Sequence, residues 1–205
     1  MERLDVIEAF IRVRQDAPAI TSPGATSGML FHADHRPATI YNMELGYTAS
    51  ICLGLALAAP DQRVYALEGD GSMIAGLATF ATIARYRPPN LVVVVFDNGV
   101  YATGAGVGPG ITETTATSHG LRIAAVAVGC GLPAELVVEV DTPEAVAAGL
   151  QRASTAPGPW LIVARIDPIG PVARPNRRPT VDIVESAMMF KRSMIDRGYG
   201  RPPGS

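Results

Sequence analysis

The chain is poor in charge and in cysteine. Charged residues make up 18% of its 205 residues, the formal net charge is −2, and Lys and Arg form no run. A near-neutral surface without a basic stripe argues against nucleic acid or an anionic membrane as the main partner, because both are held by clustered positive charge. Cys52 and Cys130 stand alone in apolar, helical-looking stretches with no Cys-x-x-Cys or Cys/His spacing, so both read as packing residues. No Gly-Lys-Ser/Thr occurs, which removes the P-loop. Long apolar runs are missing as well. Residues 45–59 are interrupted by Tyr47, Thr48 and Ser50 and are too short to span a bilayer, and Met1-Glu2-Arg3-Leu4-Asp5 lacks the apolar core of a signal peptide. These absences lead to the expectation of a reduced, cytoplasmic protein.

What is present is a hydrophobic fraction of 48% laid out in alternating patterns. Apolar residues at helical spacing predict an amphipathic helix over the first sixteen positions, ending before Pro18. A short strand at 19–21 follows, then helices at 26–32 and 45–59. From there strands are predicted at 64–67, 91–96, 136–140 and 160–166, alternating with helices at 73–86, 119–129 and 143–154. Continuous apolar strands such as Val92-Val93-Val94-Val95 indicate a mostly parallel sheet covered on both faces, a doubly wound α/β fold in one domain over residues 1–167. Beyond Asp167 the prolines at 168, 171, 175 and 179 and the arginines at 174, 177 and 178 predict an extended arm over 168–205 that ends in a helix at about 181–197.

Ligands of open α/β sheets sit beyond the carboxyl ends of strands, so the loops after Leu67 and Phe96 come first. One reads Glu68-Gly69-Asp70-Gly71-Ser72-Met73 and runs into a helix; the other reads Asp97-Asn98-Gly99-Val100-Tyr101. Gly69 and Gly71 permit a tight turn and close approach of a ligand, and the amides of Ser72 and Met73 at a helix start suit an anion. A dinucleotide fingerprint needs glycine at position 74, which is Ile74. A diphosphate at such a site commonly carries magnesium, which takes oxygen ligands. Asp70 offers a carboxylate, Asn98 an amide oxygen and Val100 a backbone carbonyl.

Gly69-Asp70-Gly71-Ser72, a helix, a Val-rich strand and Asn98 28 positions after Asp70 resemble the thiamine diphosphate signature. Within that superfamily the chain is similar to the small, separately encoded subunit of sulfopyruvate decarboxylase and to the carboxyl-terminal region of phosphonopyruvate decarboxylase. The resemblance rests on Ser22-Pro23-Gly24-Ala25-Thr26-Ser27, residues 41–59, residues 64–104 and Ala156-Pro157-Gly158-Pro159-Trp160. It implies thiamine diphosphate and magnesium as cofactors, with Asp70, Asn98 and Val100 as metal ligands. It also implies hydroxyl donors at Thr26 and Ser27 and a site bordered by Tyr101 and Thr103. The family's Gly-x-Met-Gly stretch falls on Met43-Glu44-Leu45-Gly46, where the Met43 carbonyl would meet the aminopyrimidine and Leu45 would wedge between the two rings; the first glycine is absent here and an acidic Glu44 is present.

Enzymes of this kind need a carboxylate beside the aminopyrimidine. In the family it comes from a separate pyrimidine-binding domain of about 150 residues or more, for which this chain has no room, so a partner subunit in a hetero-oligomer is expected to supply it. Glu44 is the internal alternative, and His119, after Thr115-Ala116-Thr117-Ser118, is a candidate acid or substrate contact or else an exposed first-turn residue. The implied reaction is decarboxylation of a small 2-oxo acid, of the sulfopyruvate or phosphonopyruvate kind. Two other readings stay open: a carboligase or transketolase-like subunit, and a non-catalytic subunit that binds a cofactor to support an assembly.

Overall fold

Strand β4 (Leu91–Asp97) shows why the fold forms: its first six residues are all buried, so no face of the strand meets water. In the computed structural model, which describes residues 1–101, 113–168 and 179–200, β4 lies near the middle of a six-stranded sheet of order β2-β1-β3-β4-β8-β7 with every pairing parallel. Its other strands are β1 (Ala19–Thr21), β2 (Thr39–Ile40), β3 (Val64–Gly69), β7 (Val137–Val140) and β8 (Trp160–Arg165). The two-residue period of a strand then sorts side chains into two cores. Tyr65, Leu67, Val92, Val94, Phe96, Trp160 and Ile162 meet α1 (Arg3–Arg14), α2 (Ala25–Asp34) and α7 (Pro143–Thr155) on one face. Val64, Ala66, Leu91, Val93, Val95, Leu161 and Val163 meet α3 (Thr48–Ala58), α5 (Thr79–Tyr86), α6 (Ile123–Gly129) and α8 (Ile183–Asp196) on the other. The expected doubly wound, mostly parallel α/β domain is what folds.

Two expected helices are divided. The helix expected over 73–86 is α4 (Asp70–Ala75) and α5, separated at Gly76. A Cβ on Gly76 would come within 2.5 Å of the Gly46 carbonyl, so the break admits a loop from elsewhere in the chain, a contact that apolar spacing does not register. The helix expected over 119–129 is a 3-10 turn at Ala116–His119 followed by α6; Gly120 at φ +100° ends the first and redirects the chain. Strand β2, and the antiparallel pair β5 (Val100–Tyr101) and β6 (Glu113–Thr114), were not foreseen. They are two residues long and carry no readable period.

Helix α8 packs on β2, with Phe190 and Met194 buried and the Ser186 hydroxyl accepting from the Tyr41 N–H at 3.3 Å. The residues expected to form the extended arm lie, between 169 and 178, outside the described residues.

At the opposite end of the sheet from the loops after β3 and β4, buried Asn90 closes the turn between α3 and β3. Its amide nitrogen donates to the carbonyls of Ala56, Ala59 and Gln62 at 3.0, 3.0 and 2.8 Å. Asn90→Ala should therefore lower unfolding free energy by about 2 kcal/mol, the cost of orphaning buried acceptors. Urea denaturation checks this. Asn90→Asp should cost more, because a carboxylate would then face three carbonyl oxygens.

Candidate functional site

The chain leaves β1 toward β2 and leaves β3 toward β4, so a crevice opens at the carboxyl ends of β1 and β3, where the strand order reverses. Ser22 fastens its walls. Its N–H donates to the Leu67 carbonyl at 2.9 Å and its hydroxyl accepts from the Gly69 N–H at 2.9 Å.

Asp70, the first residue of α4, is 2% exposed. Its Oδ2 accepts from the Gly99 N–H at 3.1 Å, the Thr115 hydroxyl at 2.6 Å and the Thr117 hydroxyl at 3.1 Å. Thr117 also stands 2.8 Å from Asp97 Oδ1, between the two carboxylates. Burial pushes the Asp70 carboxyl above its ordinary pKa and the Asp97 charge adds to this, while the two threonine hydroxyls and the Gly71 N–H hold it down.

Asp70 Oδ1 faces the other two expected metal ligands. The inner terminal atom of the Asn98 amide lies 3.1 Å from Asp70 Oδ1 and 3.0 Å from the Val100 carbonyl. Nitrogen-inward, the amide donates to both oxygens. Oxygen-inward, three acceptors crowd together at a spacing close to the ~3 Å that separates neighbouring ligands of an octahedral cation with bonds of ~2.1 Å. No group of three His, Cys, Asp or Glu able to hold a metal occurs among the described residues. A cation here would be one that accepts amide and carbonyl oxygens. The pair β5–β6 sets the Val100 carbonyl in place, aided by the Thr115 N–H bonding to Gly99 O at 2.9 Å.

The remaining expected residues divide by place. Gly71 is where glycine matters most, since a Cβ there would collide with the Tyr101 ring. Ser72 accepts at its hydroxyl from the Gly46 N–H at 3.0 Å, and Met73 is buried in the core. The Met43 N–H donates to Thr21 O at 2.8 Å, so the loop of Met43, Glu44, Leu45 and Gly46 is bolted to β1 and to α4. Glu44 and Leu45 on that loop are exposed. Thr26 and Ser27 are both buried; Ser27 is committed to Thr21 and to the Asn42 N–H at 2.7 Å, whereas Thr26 accepts from Arg3 at 2.6 Å. His119 is exposed and pairs with the Thr114 hydroxyl at 2.9 Å. Thr103 lies outside the described residues.

Sequence reasoning passed over Glu68, Thr115, Thr117 and Arg3. Glu68 had a signal, a lone carboxylate at the end of an apolar strand. It is fully buried, its Oε1 accepts from the Ala49 N–H at 2.8 Å, and its Oε2 has no partner. Burial pushes this carboxyl up to about 7, against the lowering effect of the Ser72 hydroxyl and the Ala49 N–H.

A carboxyl that holds its proton more tightly folded than unfolded costs stability as pH rises from the ordinary value of 4.5 toward about 7. Urea unfolding should show the wild-type chain losing stability across that window, and Glu68→Gln should flatten the loss by up to about 3 kcal/mol. An identical pH slope in the variant would count against this assignment.

Comparison with known proteins bears on the same residues. The model of the thiamine pyrophosphate enzyme, C-terminal TPP binding domain, matches residues 26–164. The beta subunit of sulfopyruvate decarboxylase from Methanothermobacter thermautotrophicus is 38% identical over 104 residues, which are 50% of this chain and 56% of that protein. Phosphonopyruvate decarboxylase from Streptomyces hygroscopicus is 31% identical over 181 residues, 86% of this chain but 43% of that protein. A candidate thiamin diphosphate-dependent enzyme from Mycobacterium smegmatis, known from its X-ray structure, superposes with a TM-score of 0.66 at 25% identity, covering 82% of this chain and 32% of the other. The chain thus spans about half the length of these relatives or less. With a six-stranded parallel sheet and a match that begins at Thr26 and takes in both Asp70 and Asn98, the chain belongs to the thiamine pyrophosphate enzyme family, as its carboxyl-terminal TPP-binding domain.

Proposed function

We propose that this chain is the thiamine diphosphate-binding subunit of a 2-oxo acid decarboxylase that works with a separate pyrimidine-domain subunit. The observation that carries the reading is the meeting of Asp70 Oδ1, the Asn98 amide and the Val100 carbonyl at separations of 3.0 and 3.1 Å. These are the donors that magnesium accepts, and they sit where the strand order reverses. A cation there would be met by the Asn98 amide through its oxygen, together with the other two.

The cofactor, when bound, supplies a sink for the negative charge left as carbon dioxide departs from a 2-oxo acid. This chain's residues hold and orient. Asp70, Asn98 and Val100 would hold the cation, and Gly69, Gly71 and Ser72, beside Asp70 at the start of α4, would border the phosphates. The Met43 carbonyl and the exposed Leu45 would meet the ring end. Tyr101, packed over Gly71, closes one side of the diphosphate end and limits water there.

The activating carboxylate comes from the partner. Glu44 is the one acidic side chain of the 43–46 loop, and it is solvent-exposed, with nothing among the described residues holding it in one orientation beside an aminopyrimidine. Support for a partner also lies in the relatives: one is named a beta subunit, and another is a protein of which this chain spans 43%. Sulfopyruvate-like or phosphonopyruvate-like 2-oxo acids are the substrates these relatives' names favour. No helix among the described residues is long and apolar enough to cross a membrane.

Asp70→Asn should weaken magnesium-dependent thiamine diphosphate binding by roughly a hundredfold or more, since it removes the one charged ligand of the cation. Calorimetry with and without magnesium measures it, and an unchanged affinity would refute the site. Decarboxylase assays form a separate test. The purified chain should be nearly inactive on a panel of 2-oxo acids and should gain activity on addition of its partner, whereas full activity alone would return the activating role to Glu44.

A further inference from the structure

Arg3 is a buried cation that the fold does not neutralise. It is 8% exposed, it forms no ion pair among the described residues, and its Nε has no hydrogen-bond partner. Its guanidinium lies over the Phe96 ring at 5.5 Å, and Nη1 donates to the Thr26 hydroxyl oxygen at 2.6 Å. The other fully buried arginine, Arg14, has the Asp34 carboxylate 3.8 Å away and bonds to both Ala17 O and Thr39. Among the described residues, Arg3 has the more distant attraction of Asp70 and no carboxylate in ion-pair contact. Its place in the helix adds to the anomaly. Asp5 and Glu2 build the start of α1, and a cation in that first turn opposes the helix dipole. A buried charge without a counter-ion is expensive, and proteins keep such charges mainly at sites that receive a charge of the other sign.

The anion side is visible. Thr26 is the second residue of α2, a ten-residue helix whose start follows Gly24 at φ +119° and carries no side-chain cap. The Ser27 N–H bonds back to the Gly24 carbonyl at 3.2 Å, which leaves the amides of Ala25 and Thr26 for an acceptor. Because the Thr26 oxygen accepts from Arg3, its own proton is free to be given, and no acceptor for it occurs among the described residues. The Ser22 hydroxyl holds this loop against Gly69, one residue before Asp70.

We propose that Arg3 is the buried counter-charge of a diphosphate site, acting through Thr26. The guanidinium backs the threonine hydroxyl so that it donates to a phosphoryl oxygen, and its charge offsets the negative charge brought in beside Asp70. This rests on the cofactor reading above and adds a positioning residue outside the segment matched by the family model. The ligand class is a pyrophosphoryl group with its magnesium. Arg3 need not touch it.

The test uses the full chain, with magnesium pyrophosphate as the probe, and two measurements: affinity by calorimetry, and the thermal midpoint with and without probe. Arg3→Gln and Thr26→Val should each weaken binding by about tenfold or more, the range for a hydrogen bond backed by charge. Arg3→Lys should recover part of the affinity. The double variant should be little worse than Arg3→Gln alone, because both act on one donor. Without probe, Arg3→Gln should melt at or above the wild-type temperature, since it removes an unpaired buried charge, while its probe-induced rise in midpoint should shrink. Wild-type affinity in Arg3→Gln would overturn the proposal, as would a lower melting point with an undiminished probe-induced rise, the mark of a purely structural arginine. Should Arg3→Gln fail to fold, undiminished affinity in both Arg3→Lys and Thr26→Val overturns it. Failure of the wild-type chain to bind magnesium pyrophosphate and magnesium thiamine diphosphate would instead sink the cofactor reading, and this inference with it.

Discussion

A carboxylate buried at the end of a central strand has to be answered by donors, and the answer to Asp70 organises this end of the molecule. One of its oxygens draws in the Gly99 N–H and the hydroxyls of Thr115 and Thr117, which come from the loop after β4 and from the segment after β6. Those bonds bring the chain back over the site and present Val100 to the other oxygen. The division of labour between the two oxygens follows. Oδ2 is spent on structure, and Oδ1 faces the Asn98 amide, where the proposed function puts the cation.

The short helix that Asp70 opens also joins Asp70 to the loop of Met43 to Gly46. Ser72 grips the Gly46 N–H, and Gly76 lets the Gly46 carbonyl approach the far end of the helix. Glu68 adds a third tie through the Ala49 N–H at the start of α3. The loop of Met43 to Gly46 is therefore tied to α4, the helix that Asp70 opens, through Ser72 and Gly76. A shift of α4 would move this loop and Asp70 together.

What the chain contains and what it lacks fit one division of roles. On the proposed function it offers an anchor for a cation and a diphosphate at Asp70, Asn98 and Val100, and the loop expected at the ring end has an exposed Leu45 and no buried acid. Relatives that span more than this chain, such as the phosphonopyruvate decarboxylase of which it covers 43%, are consistent with chemistry completed by a further domain. On the proposed function, separating anchor from activator would make the reaction conditional on assembly.

The parallel α/β architecture was legible in the sequence because it depends on local period: continuous Val strands such as Val92 to Val95 and helices of regular apolar spacing leave little choice of layer. Asp70 and Asn98 were legible for a related reason, since consecutive strands of a βαβ unit bring their ends together and the spacing between the two loops is itself the signal. The division of the helices at Gly76 and Gly120, the two-residue strand β2, the β5–β6 pair and the placing of Thr115 and Thr117 were decided only by tertiary structure. So were the burial of Glu68 and the seating of Arg3 against Thr26, 23 positions away. Each depends on which distant backbone a residue meets, and whether a charge lies in water or in a dry interior is a property of the surrounding packing and not of its neighbours in the chain.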